Sequence, residues 1–340
     1  MYAVNFRHEG REHTVPAGAS FSRSYEQGFR DTAAADLQDL VAALEKGKSW
    51  REAVDERYAA SKPWLHRIIV DPARVGFVGP VLSPAGGAVL DIGAGWGQLS
   101  RAIARSRPVV ALEPVAERLD FIGAAARQDD VLDRIVRLGL DYFDLEFTDR
   151  FAAICAIGVL EWAGAFQDRE DARQHQFHFL QKARRELAPG GELILGIENR
   201  TGLKYLLGCP DDHLGVAGVA CLPAEVALSR WRAQTGNELK SFTYSSGELE
   251  RLLRDAGFSE IEFFGAFPDY KLPASIIPFG KNGGELNTWL GTAEFPREHN
   301  GFDGSALSDD FLEQLFGHYR SLGAAGIGHH FVPSFFVRAR

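Results

Sequence analysis

The sequence lacks the features that mark secreted, membrane-spanning and disordered proteins. It has three cysteines among 340 residues and no Cys-x-x-Cys pair, which excludes a disulfide framework and a cysteine-rich zinc site. No apolar run approaches the about 20 residues that a transmembrane helix requires, and the first residues contain no apolar signal-peptide core. These absences predict a cytoplasmic protein with no membrane span.

Positively charged residues are outnumbered by negatively charged ones, 37 Lys and Arg against 46 Asp and Glu. The formal net charge is −9 at pH 7, so the composition does not favour a nucleic acid as a partner. Hydrophobic residues make up 45% of the chain, which is enough to build a core without covalent cross-links. The length fits one large domain or two modest ones, and the composition leaves the oligomeric state open.

The first 80 residues form a region of their own. Apolar residues at helical spacing predict a helix over residues 33–44, and two more helices are expected over 50–60 and 63–69. Prolines and glycines between residues 80 and 87 then interrupt the pattern. We expect residues 1–80 to form an N-terminal helical extension or cap.

Strands and helices alternate from residue 81 onward. Seven strands are predicted over residues 88–92, 109–112, 135–138, 151–157, 192–197, 261–264 and 331–338. Helices are predicted over residues 98–106, 116–126, 172–187 and 246–257. This alternation predicts an α/β fold with a doubly wound, mostly parallel seven-stranded sheet. Residues 81–340 would form this domain, with substrate-side insertions at about 201–240 and 268–330.

The most specific motif is Asp91-Ile92-Gly93-Ala94-Gly95-Trp96-Gly97, which joins the first of these strands to a helix. Glycines at such a turn let a ligand approach bare backbone N–H groups. A dinucleotide-binding G-x-G-x-x-G pattern would place its third glycine at Gln98, so the spacing disfavours an NAD-dependent oxidoreductase. Glu113 ends the next strand, where a carboxylate can accept hydrogen bonds from both ribose hydroxyls of a nucleoside.

With these residues the sequence resembles the class I S-adenosylmethionine (SAM)-dependent methyltransferases, which have a Rossmann-like fold. The segment Leu-Ala-Pro-Gly-Gly-Glu-Leu at residues 187–193 is similar to the family's signature before the fifth strand. The resemblance implies that the glycine loop wraps the methionine part of SAM, with an acid near the amino group. It also implies an acid on the ribose, and an acid and an aromatic ring on the adenine. The implied cofactor contacts are Asp91, Gly93, Ala94, Gly95, Trp96, Gly97, Glu113, Asp141, Tyr142, Gly158 and Val159.

Two further segments resemble bacterial methyltransferases that occur with glycosyltransferases of surface-polysaccharide biosynthesis. Their sequences are GIENRTGLKY, followed by DDH at residues 211–213, and FPDYKLP at residues 267–273. Both follow predicted strands, at the edge where doubly wound sheets bind ligands. Their polar and aromatic residues suit a hydroxylated acceptor. The expected substrate-binding residues are Glu198, Asn199, Lys204, Tyr205, Tyr270 and Lys271.

A hydroxyl acceptor needs a base to take its proton. His213 is the first candidate, because the ordinary pKa of histidine suits neutral pH. Glu161 is the second, because the resemblance places the segment around it beside the methionine part of SAM. No metal site is expected, since the paired histidines of the sequence lack a matching carboxylate cluster.

The sequence therefore predicts a SAM-dependent methyltransferase that acts on a hydroxyl of a sugar or another hydroxylated metabolite. The expected partner is a small-molecule or glycan acceptor. Two alternatives remain. One is a small-molecule N- or O-methyltransferase of specialised metabolism, and the other is a SAM-binding scaffold or regulatory protein without turnover.

Overall fold

The computed structural model describes residues 2–23, 29–166, 171–213, 215–297 and 305–340. The chain divides into two compact units, the first made of residues 1–156 and 185–193 and the second of residues 157–184 and 194–340. Residues 1–80 lie in the first unit, together with the first strands of the α/β pattern. Among the described residues, no helix has both the length and the apolar character needed to cross a membrane.

The first unit begins with three strands and three helices and continues with the expected alternation. Its elements are β1 (Ala3–His8), β2 (Arg11–Pro16), β3 (Ser20–Ser22), α1 (Ala34–Glu45), α2 (Trp50–Tyr58), α3 (Pro63–Val70), β4 (Val89–Ile92), α4 (Gln98–Ala104), β5 (Val109–Leu112), α5 (Ala116–Gln128), β6 (Ile135–Gly139), β7 (Leu145–Phe147) and β8 (Phe151–Ile157). Strands β1, β2 and β7 form a small antiparallel sheet of their own.

Five parallel strands of the first unit lie in the order β3-β6-β5-β4-β8. Strand β4 is central, since Val89 pairs with both Val109 of β5 and Ala153 of β8. All four residues of β4 are buried, as expected for a parallel strand whose two faces are covered. Because β4 ends at Ile92, the glycine motif lies at the carboxyl ends of these strands.

Three elements have residues in both units, namely β8, whose last residue Ile157 belongs to the second unit, α6 (Ala172–Glu186) and β9 (Leu187–Glu198). The second unit adds α7 (Leu203–Leu206), α8 (Ala224–Thr235), α9 (Ser246–Asp255), β10 (Ile261–Phe267), β11 (Ser275–Pro278), α10 (Gly284–Thr292), α11 (Asp309–Ala324) and β12 (Ser334–Ala339). Its strands lie in the order β9-β12-β10-β11, and β10 pairs antiparallel with both neighbours.

The α/β class and the largely parallel character of the sheet are confirmed, while the strand details differ from the prediction. The seven predicted strands are present as β4, β5, β6, β8, β9, β10 and β12. Strand β9 begins at Leu187 rather than at Glu192, because Pro189 disfavours helix at the residue before it and α6 ends at Glu186. Strands β1, β2, β3, β7 and β11 are additional to these seven, so residues 1–80 contain three strands as well as the three expected helices. Strands β3, β7 and β11 have only three or four residues, which carry no readable alternation.

The helices of the N-terminal region pack onto α5 through an apolar cluster. Leu37, Val54 and Ile69, one from each of the first three helices, belong to the same buried cluster as Phe121 of α5 and Trp96. The aromatic residue of the glycine motif is therefore part of the core of the first unit.

Candidate active site

The glycine turn, residues 93–97, connects β4 to α4 in the first unit. Gly93, Gly95 and Gly97 have φ angles of 66°, 57° and 76°, in the left-handed region where residues with a side chain are strained. Gly97 has a second reason to be glycine, because a Cβ there would lie 2.6 Å from Cγ1 of Ile122. The turn thus requires glycine at the positions that the motif supplies.

The end of strand β5 holds this turn in place. The N–H groups of Gly93 and Ala94 both donate to the carbonyl oxygen of Leu112, at 2.8 and 3.1 Å. The N–H of Gly95 donates to Oε2 of Glu113 at 2.9 Å. Three successive N–H groups of the turn are therefore bound to the end of the neighbouring strand.

Glu113 is buried, and both of its carboxylate oxygens have protein donors. Its Oε1 accepts from the N–H of Val115 at 3.0 Å and lies 3.5 Å from Nη1 of Arg118. Burial raises the pKa of Glu113, and Arg118 with the two N–H donors offsets part of that rise. Each carboxylate oxygen offers two lone pairs, so ribose binding by Glu113 stays a prediction.

Asp91 lies within strand β4 and is 3% exposed. Its Oδ2 accepts a hydrogen bond from Oγ of Ser100 at 2.5 Å. Burial raises the pKa of Asp91 to about 7, although the bond from Ser100 acts in the opposite direction. The carboxyl is therefore near the midpoint of its titration at neutral pH, and a cation beside it would favour the charged form.

The two residues predicted on the adenine side make contacts within the protein. Oδ1 of Asp141 accepts from the N–H of Phe143 at 2.8 Å and so caps a short turn. Tyr142 is buried, and its hydroxyl donates to Oε2 of Glu186 at 2.6 Å. Their roles toward adenine stay predictions.

Sequence reasoning missed two charged residues beside the glycine turn. Oδ2 of Asp31 accepts from Nε1 of Trp96 at 3.1 Å, and its Oδ1 accepts from Nη2 of Arg118 at 2.7 Å. The Trp96 ring packs edge-on against Phe121, with centroids 5.1 Å apart, so its observed role is packing. Asp31 lies in a segment without periodicity, and Arg118 is one of several arginines on predicted helices, so no local signal pointed to either residue.

In the second unit, Gly158 and Val159 lead from β8 into a short turn that contains Glu161. Gly158 has a φ angle of 74°, and its N–H donates to the carbonyl oxygen of Gly196 at 2.8 Å. A Cβ at position 158 would lie 2.7 Å from the hydroxyl oxygen of Tyr270. This glycine therefore makes room for one of the predicted substrate-side aromatic residues.

The second unit brings both catalytic candidates together with Glu198. Nε2 of His213 lies 3.3 Å from Oε1 of Glu161 and 3.4 Å from Oε2 of Glu198. We call these three residues the carboxylate–imidazole cluster. Both glutamates are buried, and the His213 side chain is 5% exposed.

The cluster changes the protonation of His213. Burial alone would lower the pKa of His213, but Glu198, Glu161 and Asp211 together raise it to about 9. The imidazole is therefore mostly protonated at neutral pH. The prediction that His213 has an ordinary pKa near neutrality is wrong for this structure.

Tyr270 and Lys271, from the second predicted motif, contact the same cluster. The hydroxyl of Tyr270 donates to Oε1 of Glu161 at 3.2 Å, and Nζ of Lys271 donates to Oε1 of Glu198. Burial raises the pKa of Glu198, but His213 and Lys271 outweigh it and lower that pKa overall. Glu198 therefore remains ionised inside the protein, because His213 and Lys271 are cationic partners beside it.

Lys204 and Tyr205, from the first motif, bind the residue next to His213 in sequence. Nζ of Lys204 donates to Oδ2 of Asp212 at 2.6 Å, and the hydroxyl of Tyr205 donates to the same oxygen. Burial would raise the pKa of Asp212, but Lys204 and Lys271 hold it well below its ordinary value. Residues from both motifs thus form one buried network around the cluster.

Asn199 does not join this network. Its Nδ2 donates to the carbonyl oxygens of His330 and Val332, and its Oδ1 accepts from both the N–H and the hydroxyl of Thr201. All four hydrogen-bonding positions of the side chain are occupied. Asn199 therefore anchors the end of β9, and it has no group left for an acceptor.

The cluster retains unused polar atoms. Oε2 of Glu161 and Nδ1 of His213 are buried without a hydrogen-bond partner in the described part of the chain. Ligand atoms of Glu161, Glu198 and His213 lie within 4.8 Å of one another and could hold a metal ion, a grouping that the sequence did not reveal. In this structure the protonated imidazole is the cation between the two carboxylates, and Oε2 of Glu161 can accept a hydrogen bond from a hydroxyl.

A family model described as a methyltransferase domain matches residues 32–262. The chain belongs to this methyltransferase family. The matched region is therefore a methyltransferase domain, and SAM is the cofactor that the resemblance in sequence implies for it.

Among curated proteins, the methyltransferase is similar to the mitochondrial ubiquinone biosynthesis O-methyltransferases of Mus musculus and Rattus norvegicus. Each is 30% identical over 128 residues, which is 36% of this chain and 32% or 34% of the relative. The chain thus spans about a third of the length of these relatives.

Two solved structures illustrate more distant likenesses. An N-methyltransferase of Bradyrhizobium japonicum WM9, solved with S-adenosyl-L-homocysteine (SAH), is 15% identical, with a TM-score of 0.41 over 69% of this chain and 93% of that one. An O-methyltransferase described as putative, from Nostoc punctiforme PCC 73102, is 17% identical, with a TM-score of 0.41 over 69% of this chain and 66% of that one.

The raised pKa of His213 can be tested directly. In an NMR titration of the imidazole resonances we expect His213 to titrate at about pH 9. Glu198→Gln removes a negative charge beside the ring, so the pKa of His213 should fall. His329 is an internal control, because burial and His330 lower its pKa from 6.5. A His213 that titrated below pH 7 would contradict the described cluster.

Proposed function

We propose that this methyltransferase transfers the methyl group of SAM to a hydroxyl oxygen of a sugar or another hydroxylated metabolite. The observation that carries the proposal is the carboxylate–imidazole cluster, a buried set of acidic and basic groups in which Oε2 of Glu161 has no hydrogen-bond partner among the described residues. Such a set can orient a hydroxyl and take its proton. The curated relatives that match are named as O-methyltransferases, which also supports an oxygen acceptor.

We assign the cofactor to the first unit, at the glycine turn with Asp91 and Glu113. The residues fit this role, because among the described residues a Cβ on Gly95 would have only the carbonyl oxygen of Gly93 within 4 Å, at 3.8 Å. The described part of the chain therefore leaves room for a ligand at this point of the turn. Asp91 would face the amino group of SAM and Glu113 the ribose hydroxyls. When bound, SAM supplies a methyl carbon activated by a sulfonium.

In the proposed reaction the acceptor hydroxyl loses its proton and gains the methyl group. With SAM bound, the acceptor oxygen would form a bond to the methyl carbon as the bond from that carbon to sulfur breaks, which would leave a methyl ether and SAH. The hydroxyl proton passes to Nε2 of His213 in its neutral form. Glu161 accepts a hydrogen bond from the acceptor through Oε2, and Glu198 stabilises the imidazolium that results.

The two motif segments favour a polyhydroxylated acceptor, and with it a role in surface-polysaccharide biosynthesis. Their residues Glu198, Lys204, Tyr205, Tyr270 and Lys271 lie in one buried network. Alternating carboxylate, ammonium and phenol groups offer both donors and acceptors to a sugar. The three cysteines are free thiols, which supports a cytoplasmic reaction.

The assignment of Asp91 predicts a pH-dependent cofactor affinity. Its pKa of about 7 means that acid neutralises the carboxylate, so the affinity for SAH should fall about tenfold per pH unit below pH 7 and level off above it. Asp91→Asn should bind more weakly at neutral pH and lose this slope. Calorimetric titrations with SAH between pH 5.5 and 8.5 measure both effects. A flat profile for the wild-type protein would remove Asp91 from the cofactor site.

The assignment of His213 predicts a second pH dependence. For an acceptor found with labelled SAM in a panel of sugars, nucleotide sugars, phenols and amines, kcat/KM should rise about tenfold per pH unit from pH 7 and level off near pH 9. His213→Ala should lose turnover and keep its affinity for SAH, and Glu198→Gln should reach its plateau at lower pH.

Several outcomes count against this proposal. A profile that is flat between pH 6 and 9, with loss of turnover in Glu161→Gln, makes Glu161 the base. Methylation of amines alone would favour the N-methyltransferase alternative. Binding of SAH without turnover on any member of the panel would favour a scaffold or regulatory protein.

A further inference from the structure

We propose that Asp31 and Arg118 are positioning residues of the cofactor site, which keep Glu113 and the glycine turn in the form that binds SAM. The inference rests on the proposed location of the cofactor at the turn, but not on the nature of the acceptor. All of the residues involved lie in the first unit.

Four contacts close a ring around the turn. Gly95 donates to Glu113 at 2.9 Å, and Glu113 lies 3.5 Å from Arg118. Arg118 donates to Asp31 at 2.7 Å, and Asp31 accepts from Trp96 at 3.1 Å. Since Trp96 follows Gly95 in the chain, the ring begins and ends in the glycine turn.

The distances show which carboxylate binds the guanidinium more closely. Arg118 is 5% exposed and has Asp31 and Glu113 as anionic partners. Its bond to Asp31 is 0.8 Å shorter than its approach to Glu113, 2.7 Å against 3.5 Å. Asp31 therefore holds Arg118 back from Glu113. This arrangement leaves the Glu113 carboxylate oriented toward the N–H of Gly95, with lone pairs free for a sugar hydroxyl.

Removal of the charge from Asp31 would change which carboxylate Arg118 binds more closely. Arg118 would then have Glu113 as its remaining anionic partner in the ring, and a guanidinium and a carboxylate prefer a two-bond, fork-like pairing. That pairing would take up the lone pairs of Glu113 and turn its Oε2 away from Gly95. The glycine turn would lose one of the bonds that hold it to the end of β5.

Asp31 is itself fixed by the N-terminal region. Its carbonyl oxygen accepts from Nζ of Lys62 at 3.0 Å. The next residue, Thr32, shares a hydrogen bond of 2.8 Å with the hydroxyl of Tyr58. The backbone that carries the Asp31 carboxylate is therefore held in place by Lys62 and Tyr58 of the N-terminal region.

The test is a double-mutant cycle on SAH affinity, measured by calorimetry. Asp31→Asn should raise the Kd for SAH about tenfold, as expected for loss of a charge-assisted hydrogen bond. In the background of Arg118→Met, the same change should have almost no further effect, because Asp31 acts through Arg118. A purely structural role would give the same loss in both backgrounds.

The chain supplies a matched control. Glu117→Gln breaks an ion pair of 3.3 Å with Arg30, which joins the same two segments on a more exposed face. It should change the Kd for SAH by less than about twofold. If Asp31→Asn fails to fold, Arg118→Lys replaces it. Lysine keeps the charge but cannot bridge two carboxylates, so it should also weaken binding.

The outcomes separate this inference from the proposed cofactor site. Wild-type affinity in Asp31→Asn, or in Arg118→Lys if that variant is used, overturns the positioning role. So does an equal loss in both backgrounds of the cycle. Glu113→Gln is measured in parallel, and if it binds SAH as tightly as the wild-type protein, the cofactor assignment to Glu113 fails as well. Weakened Glu113→Gln with unchanged Asp31→Asn overturns the positioning role alone.

Discussion

A carboxylate buried in a protein is stable only when donors or cations surround it, and this constraint organises both units. In the first unit, Glu113 is satisfied by Gly95, Val115 and Arg118, and these contacts hold the glycine turn against the end of a strand. In the second unit, Glu161 and Glu198 face a protonated histidine, a lysine and a tyrosine. The buried carboxylates that these groups stabilise are also the ones proposed to act on the ligands.

The same pairing determines which side chains can exchange protons. Asp91 has a hydroxyl but no ion-pair partner within bonding distance among the described residues, and burial brings its pKa to about 7. His213 has two glutamates, and its pKa rises to about 9 in spite of burial. The Asp91 carboxyl can thus lose its proton when a cation lies beside it, and the His213 imidazole becomes a stronger base. Both side chains are buried, and the number of charged neighbours determines the pKa that each one has there.

Local pattern predicted much of the fold and part of the site. The apolar run at residues 151–157 and the glycines after Asp91 are properties of contiguous sequence, so strand β8 and the turn were predicted at their observed positions. Residues whose roles depend on contacts with distant parts of the chain were not predicted. Arg118 and Asp31 are 87 positions apart, and neither has a local signature. The pKa of His213 depends on Glu161 and Glu198, which come from other elements, so the free-residue value gave the wrong protonation state.

The most direct test of the account is a crystal structure of the methyltransferase with SAH. We predict that the nucleoside lies at residues 93–97, with the Glu113 carboxylate within hydrogen-bonding distance of the ribose hydroxyls and Asp91 toward the amino group. SAH bound elsewhere would contradict it. So would a Glu113 that still contacts only Gly95, Val115 and Arg118.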